Sequence, residues 1–152
     1  MKPHAAELVH ALEIPLLGAT LLFPSAAVAE VINVLPATPI PYSDPWQLGV
    51  IGWRSMAVPL VSFEVLMGSV APVLQPASKI VIFYPLSGRK PGEFFGICTI
   101  SEPRPLKLDG SNTTASPKEL PDTSFIAAGL KMGAKVMLIP DLEKLKSTFY
   151  PS

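Results

Sequence analysis

The stretch GVIGWRSMAVPLVSFEVLMG, residues 49–68, decides the fold. Two apolar runs flank Arg54 and Ser55, and the second run contains Pro59 before a short amphipathic piece. Apolar runs joined by two polar residues are typical of two β-strands and a tight turn. An unpaired guanidinium is very costly to bury, so Arg54 must find either a partner or the protein surface.

Similar short apolar segments recur along the chain. LEIPLLG and TLLFP flank Gly18 and predict a β-hairpin, and AEVINVL, AVPLVSF, KIVIFYPL, EFFGICTI and KVMLIPDL predict further strands. Only DLEKLKS, residues 141–147, has convincing helical spacing, with Leu142 and Leu145 on one face. Many short strands separated by Gly and Pro turns favour an all-β barrel or sandwich with short helices.

The composition narrows the class of protein. The chain has 152 residues, enough for one domain, and its 18 prolines exclude long helices over most of its length. Twelve basic and twelve acidic residues are spread without a long run of either sign, which argues against nucleic-acid binding. Only 16% of the residues are charged, so part of the surface is expected to be a docking face.

No motif for catalysis, a cofactor or a metal is visible. His4, Glu7 and His10 form the one histidine–carboxylate cluster, but positions six apart on a helix lie on different faces and cannot share an ion. Cys98 sits in the apolar run FFGICTI and is interpreted as a buried hydrophobic residue. The sequence therefore predicts no enzyme, no cofactor and no metal site.

Residues 14–29 raise the alternative of export. This run is uncharged and ends in Ala27, Val28 and Ala29, like a signal-peptidase site. However, the residues before this run carry no net positive charge, and two prolines interrupt the run itself. Its sixteen residues are also short for a membrane span. We expect a cytoplasmic protein without membrane insertion.

Residues 29–68 resemble the CheW family of chemosensory coupling proteins in the order of their motifs. Family members have an acidic residue followed by branched residues, then a proline-bearing loop, then a glycine. In this chain those features are Glu30, Val31, Ile32, Pro41 and Gly49. The later segments, from KIVIFYPL to the closing helix, also follow the family's order.

The family's next signature is Asn-Leu-Arg-Gly, followed by a strand with proline, valine, a hydrophobic residue, aspartate and leucine. Arg54 and Pro59 match it, whereas the asparagine, the second glycine and the aspartate are replaced by Gly52, Ser55 and Ser62. The chain is thus similar to a divergent member. Such members often serve auxiliary chemosensory systems, including those that control type IV pilus motility.

The resemblance implies two intertwined five-stranded SH3-like barrels that share a hydrophobic core. It implies a loose arm over residues 1–11, one CheW-like domain over 12–147 and a tail over 148–152. It also implies two partners, the regulatory domain of a CheA-type histidine kinase and a methyl-accepting chemoreceptor. The residues expected to face partners are Val28, Glu30, Ile32, Gly49, Trp53 and Arg54.

Several alternatives stay open at this stage. Glu30 and Arg54 are expected to form a pair, yet Glu30 could instead be solvated on a polar strand face. Trp53 and Phe63 fit a barrel core as well as an interface. A small β-barrel enzyme or ligand-binding protein with a pocket between its lobes is the rival function.

Overall fold

The structure is a computed structural model that describes residues 9–85, 90–109, 114–115 and 125–149. The strands are β1 Val9–Leu16, β2 Ala19–Pro24, β3 Val28–Asn33, β4 Gln47–Trp53, β5 Met56–Val61, β6 Lys79–Phe83, β7 Phe95–Cys98, β8 Arg104–Leu108, β9 Thr114–Ala115, β10 Ile126–Met132 and β11 Lys135–Pro140. The helices are α1 Phe63–Leu66 and α2 Leu142–Phe149, and Ser25–Ala27 forms a single 3-10 turn. No helix within the described ranges is both long enough and apolar enough to cross a membrane.

The strands form two sheets, which confirms the predicted fold class. The first sheet has the order β8-β1-β2-β11-β10 with the two-residue β9 at its edge, and the second has the order β3-β6-β7-β5-β4. The first sheet takes strands from both ends of the described chain, whereas the second uses β3 to β7 in between. The two five-stranded units are therefore intertwined, as expected for a pair of SH3-like barrels.

The apolar side chains form three clusters that follow from the alternation of each strand. On β6, Ile80 and Ile82 enter the interior of the second barrel, while Val81 and Phe83 enter a core shared by both sheets. A separate cluster around Leu22 and Met137 fills the first barrel. Because successive strand residues point to opposite faces, a strand buried on both faces must be apolar throughout.

Several element boundaries differ from those predicted by the sequence. Strand β1 begins at Val9, three residues inside the segment expected to be a loose arm, because Val9–Ala11 pair with β8. Strand β5 ends at Val61, since the Ser62 hydroxyl accepts a hydrogen bond from the amide of Val65 and so caps α1. Strand β8 was not predicted, because its sequence RPLKL contains a proline and two basic residues.

The C-terminal helix forms where predicted, but its buried face differs. Leu145 is fully buried, and Phe149 lies four residues further on the same face, so α2 runs two residues beyond the expected end of the domain at 147. Leu142, the first residue of the helix, is 36% exposed. The Asp141 carboxylate accepts a hydrogen bond from the amide of Lys144, which caps the helix start.

Gly49 has a backbone requirement that only glycine meets. It lies at an irregularity in the pairing of β4 with β5, its φ is 138°, and an added Cβ would stand 2.5 Å from the carbonyl oxygen of Thr38. Thr38 and Val50 exchange backbone hydrogen bonds of 2.9 Å, so the loop before β4 is fixed against this strand.

Replacing Gly49 with alanine is expected to destabilise the protein by about 2 kcal/mol or more, because the new Cβ clashes with backbone and the residue is strained. Chemical denaturation followed by circular dichroism measures the change. Gly52→Ala is the matched control, since Gly52 lies on the same strand with nothing within 4 Å of an added Cβ. Equal stabilities of the two variants would contradict this account.

Candidate functional site

The hairpin formed by β4 and β5 carries the predicted arginine at its tip. Trp53 pairs with Met56, and between them Arg54 and Ser55 have φ values of 49° and 64°. Two left-handed residues between paired strands make the type I′ turn that matches strand twist, a turn that normally uses Asn and Gly. The tight turn predicted at these two residues is confirmed, and it exposes both side chains.

Glu30 on β3 binds both residues at the end of β4. Its Oε1 accepts a hydrogen bond of 3.0 Å from the Trp53 indole Nε1 and another of 3.1 Å from Nη2 of Arg54. The Arg54 guanidinium carbon lies 4.6 Å from the centre of the Trp53 ring. We call Glu30, Trp53 and Arg54 the Glu30 cluster. The pairing of Glu30 with Arg54 expected from the sequence is present.

The ion pair lies at the surface, although the Trp53 ring beside it is buried. The side chains of Arg54 and Glu30 are 63% and 41% exposed, so water screens their attraction. Trp53 is only 7% exposed and packs among the side chains that fill the second barrel. The cluster thus presents one acidic and one basic group at the surface. The buried Trp53 ring contacts both of them and orients them.

Three predicted site residues lie outside the Glu30 cluster. Val28 and Ile32 are partly buried, Val28 against the shared core and Ile32 against the interior of the second barrel. Gly49 is buried against the loop at Thr38 and has a structural role there. The structure therefore brings Glu30, Trp53 and Arg54 together, with the two charged groups exposed and the Trp53 ring buried. Val28, expected to be an exposed apolar contact, also contributes to the core.

An open depression adjoins the Glu30 cluster. It has a volume of about 540 Å³ and is lined by Thr38 and by residues 50–57 of the β4–β5 hairpin. Next to the cluster, the Phe94 ring lies 5.1 Å from Trp53 and 5.9 Å from Tyr84, and Tyr84 is 48% exposed. Sequence reasoning missed this aromatic row because Tyr84 and Phe94 belong to two separate apolar runs, KIVIFYPL and EFFGICTI, which were predicted only as strands.

Two buried carboxylates were also missed. Glu13 on β1 is 3% exposed and forms ion pairs with Lys135, at the start of β11, and with Arg104 on β8, the latter at 3.8 Å. Glu64 on α1 is 1% exposed and accepts a hydrogen bond of 3.0 Å from the amide of Leu17. Both are charged residues inside apolar runs, which is the signal that could have identified them.

Metal-binding residues were also sought in the structure. Over the described ranges, no group of three or more His, Cys, Asp and Glu side chains is arranged to hold an ion. His10 lies exposed on β1, while His4 and Glu7 lie outside the described residues.

The Glu30–Arg54 pair itself is expected to contribute little to the free energy of unfolding, although Glu30→Ala also removes the hydrogen bond that Glu30 accepts from Trp53. In a double-mutant cycle with Glu30→Ala and Arg54→Ala, the coupling free energy should be less than about 1 kcal/mol, because the pair is exposed. Urea denaturation of the four proteins measures it. A coupling of about 3–5 kcal/mol would instead show a desolvated pair and contradict the exposed geometry.

The left-handed conformation of Ser55 gives a second expectation. Ser55→Gly should raise the free energy of unfolding by about 0.5–1 kcal/mol, because glycine adopts positive φ without the Cβ penalty. The larger chain entropy that glycine loses on folding offsets only part of this gain. Thermal and urea denaturation of the variant check this. Ser55→Ala keeps the Cβ and should bring no such gain, and a gain in both variants would rule out relief of backbone strain.

Known proteins are similar to this chain in sequence pattern and in fold. The sequence model of the CheW-like domain matches residues 10–148. Among solved structures, the fold is similar to the scaffolding protein TtCheW from Thermoanaerobacter tengcongensis, with a TM-score of 0.75 and 20% sequence identity over 93% of this chain and 90% of that one. Among curated proteins, none matches closely enough to count as a relative.

Proposed function

This chain belongs to the CheW-like domain family, and we propose that it is a non-catalytic adaptor that couples chemoreceptors to a CheA-type histidine kinase. Its two-sheet fold, which is that of a CheW scaffolding protein, is consistent with such a role in chemotaxis. The observation that carries the proposal is the Glu30 cluster, a fixed pair of opposite charges beside an open depression.

The receptor is proposed to contact the second barrel at the Glu30 cluster. Arg54 and Glu30 can each pair with an opposite charge on a receptor helix, and the exposed Tyr84 and the adjoining depression supply apolar contact. Aromatic and arginine side chains are the residues that most often dominate binding energy at protein interfaces. The partly buried Val28 and Ile32 support this surface from β3.

The regulatory domain of the kinase is proposed to dock separately, at exposed barrel ends, so that one adaptor joins both partners. No cofactor is part of this mechanism, and the proposed location is the cytoplasm, where such kinases and the receptor tips meet. The replacement of motif residues by Gly52, Ser55 and Ser62 leads us to propose an auxiliary chemosensory pathway, such as one controlling type IV pilus motility.

Binding to purified partners tests the proposal. The wild-type chain should bind a CheA-type regulatory domain and a receptor cytoplasmic fragment from the same organism in calorimetry. Arg54→Glu should weaken receptor binding by about tenfold or more, because it places like charges beside Glu30 and reverses the interface charge. Kinase binding should change by less than about twofold, which is under 0.5 kcal/mol.

Lys107→Glu is the matched control. Lys107 is exposed on β8 of the first sheet, so the same reversal of charge is made away from the Glu30 cluster. Circular dichroism verifies that each variant is folded. If the wild type bound neither partner, the adaptor function would be rejected. If Arg54→Glu and Lys107→Glu weakened receptor binding equally, the Glu30 cluster would not be the receptor site.

A further inference from the structure

A second cavity lies away from the Glu30 cluster. Its volume is about 580 Å³, within the range of roughly 300–1,000 Å³ typical of small-molecule sites. Its wall comes from β4, β5, β7 and α1 of the second barrel and from the loops that contain Leu35 and Leu74. Neither Glu30 nor Arg54 lines it, so it is separate from the proposed receptor surface.

The wall is apolar apart from one group of polar side chains. Ser62, Glu64 and Cys98 converge on the cavity, and they are 1%, 1% and 4% exposed. Nine apolar residues complete the lining, including Leu48 and Leu60. An apolar cavity with a few convergent polar groups is the usual form of a ligand site, because the apolar wall gives affinity and the polar groups fix orientation.

Glu64 is the one charged residue among those that line this cavity. Its Oε1 accepts a hydrogen bond of 3.2 Å from the Ser62 hydroxyl, and its Oε2 accepts one of 3.0 Å from the Leu17 amide. Each carboxylate oxygen can accept a further hydrogen bond. Among the described side chains, no Lys, Arg or His lies within ion-pair distance of Glu64.

The other ionisable group of the wall carries no charge. Burial, together with the nearby carboxylate of Glu64, raises the pKa of the Cys98 thiol to about 12. The thiol is therefore neutral at physiological pH and is a poor nucleophile. A buried carboxylate with no cation beside it among the described side chains, in a cavity whose other lining residues are uncharged, favours a ligand that supplies a positive charge.

We propose that this cavity binds a small aliphatic amine, with the alkyl chain against Leu48, Leu60 and Leu74 and the ammonium group against the carboxylate of Glu64. A carboxylic acid of the same length would place two negative charges together and is excluded. Because Glu64 also accepts a hydrogen bond from the amide of Leu17, in the turn between β1 and β2, the ligand would bind beside a contact that joins the two barrels. The proposal does not depend on binding to kinase or receptor.

Isothermal titration at pH 7 with n-hexylamine, 1-hexanol and sodium hexanoate tests the proposal. Hexylamine should bind about tenfold or more tightly than hexanol, because only the amine brings a positive charge to the carboxylate, and hexanoate should not bind. In Glu64→Gln, hexylamine should bind only as tightly as hexanol. Equal binding of the three compounds, no binding of hexylamine, or an unchanged preference in Glu64→Gln would overturn the proposal.

A second pair of variants decides the matter if Glu64→Gln fails to fold. Ala71 is an exposed residue of the cavity wall, so Ala71→Trp should fill the entrance and lower hexylamine affinity by about tenfold or more. Ala77→Trp is the matched control, since Ala77 is exposed in the same linker but does not line the cavity. Unchanged hexylamine binding in Ala71→Trp would place the amine elsewhere and reject this site.

Discussion

The burial of β6 and β7 on both faces is the constraint on which the rest of the fold depends. On β7, Phe95 and Ile97 face the shared core, whereas Gly96 and Cys98 face the interior of the second barrel. An added Cβ at Gly96 would lie 3.1 Å from Ile80 and 3.2 Å from Leu60, so the barrel is closely packed at this point. Strands with two apolar faces must pack against other residues on both sides. One face of β6 and β7 packs inside the second barrel, and the other packs against the first sheet.

This arrangement confines the exposed polar groups of the second barrel to its periphery. Its central strands have no face open to a partner, so polar contacts arise on the edge strand β3 and on the β4–β5 hairpin. Trp53 links the interior to the surface, because its ring packs in the barrel while its indole nitrogen binds Glu30. An exposed carboxylate is thereby oriented by a buried donor, which would lower the entropy that it loses on binding the proposed receptor.

The sequence predicted the elements whose signals are local. The apolar runs of β1, β6 and β11 and the turn at Arg54 were all recognised, because strand alternation and turn chemistry act over a few residues. It did not predict β8, whose pairing with β1 depends on residues far apart in the chain. The same limit applies to the site. The pairing of Glu30 with Arg54 came from family motifs, whereas the Trp53 hydrogen bond and the aromatic contact with Phe94 require the folded arrangement.

Ser62 and Glu64 together place a buried carboxylate close to the position where the family motif has an aspartate. Ser62 stands where the resemblance places an aspartate, and it caps α1 while donating a hydrogen bond to the Glu64 carboxylate two residues later. That carboxylate in turn accepts a hydrogen bond from the amide of Leu17, in the turn between β1 and β2. A buried negative group is therefore present close to the motif position and satisfies a backbone donor between the barrels. This hydrogen bond gives Glu64 a structural role between the two barrels, apart from any ligand in the adjoining cavity.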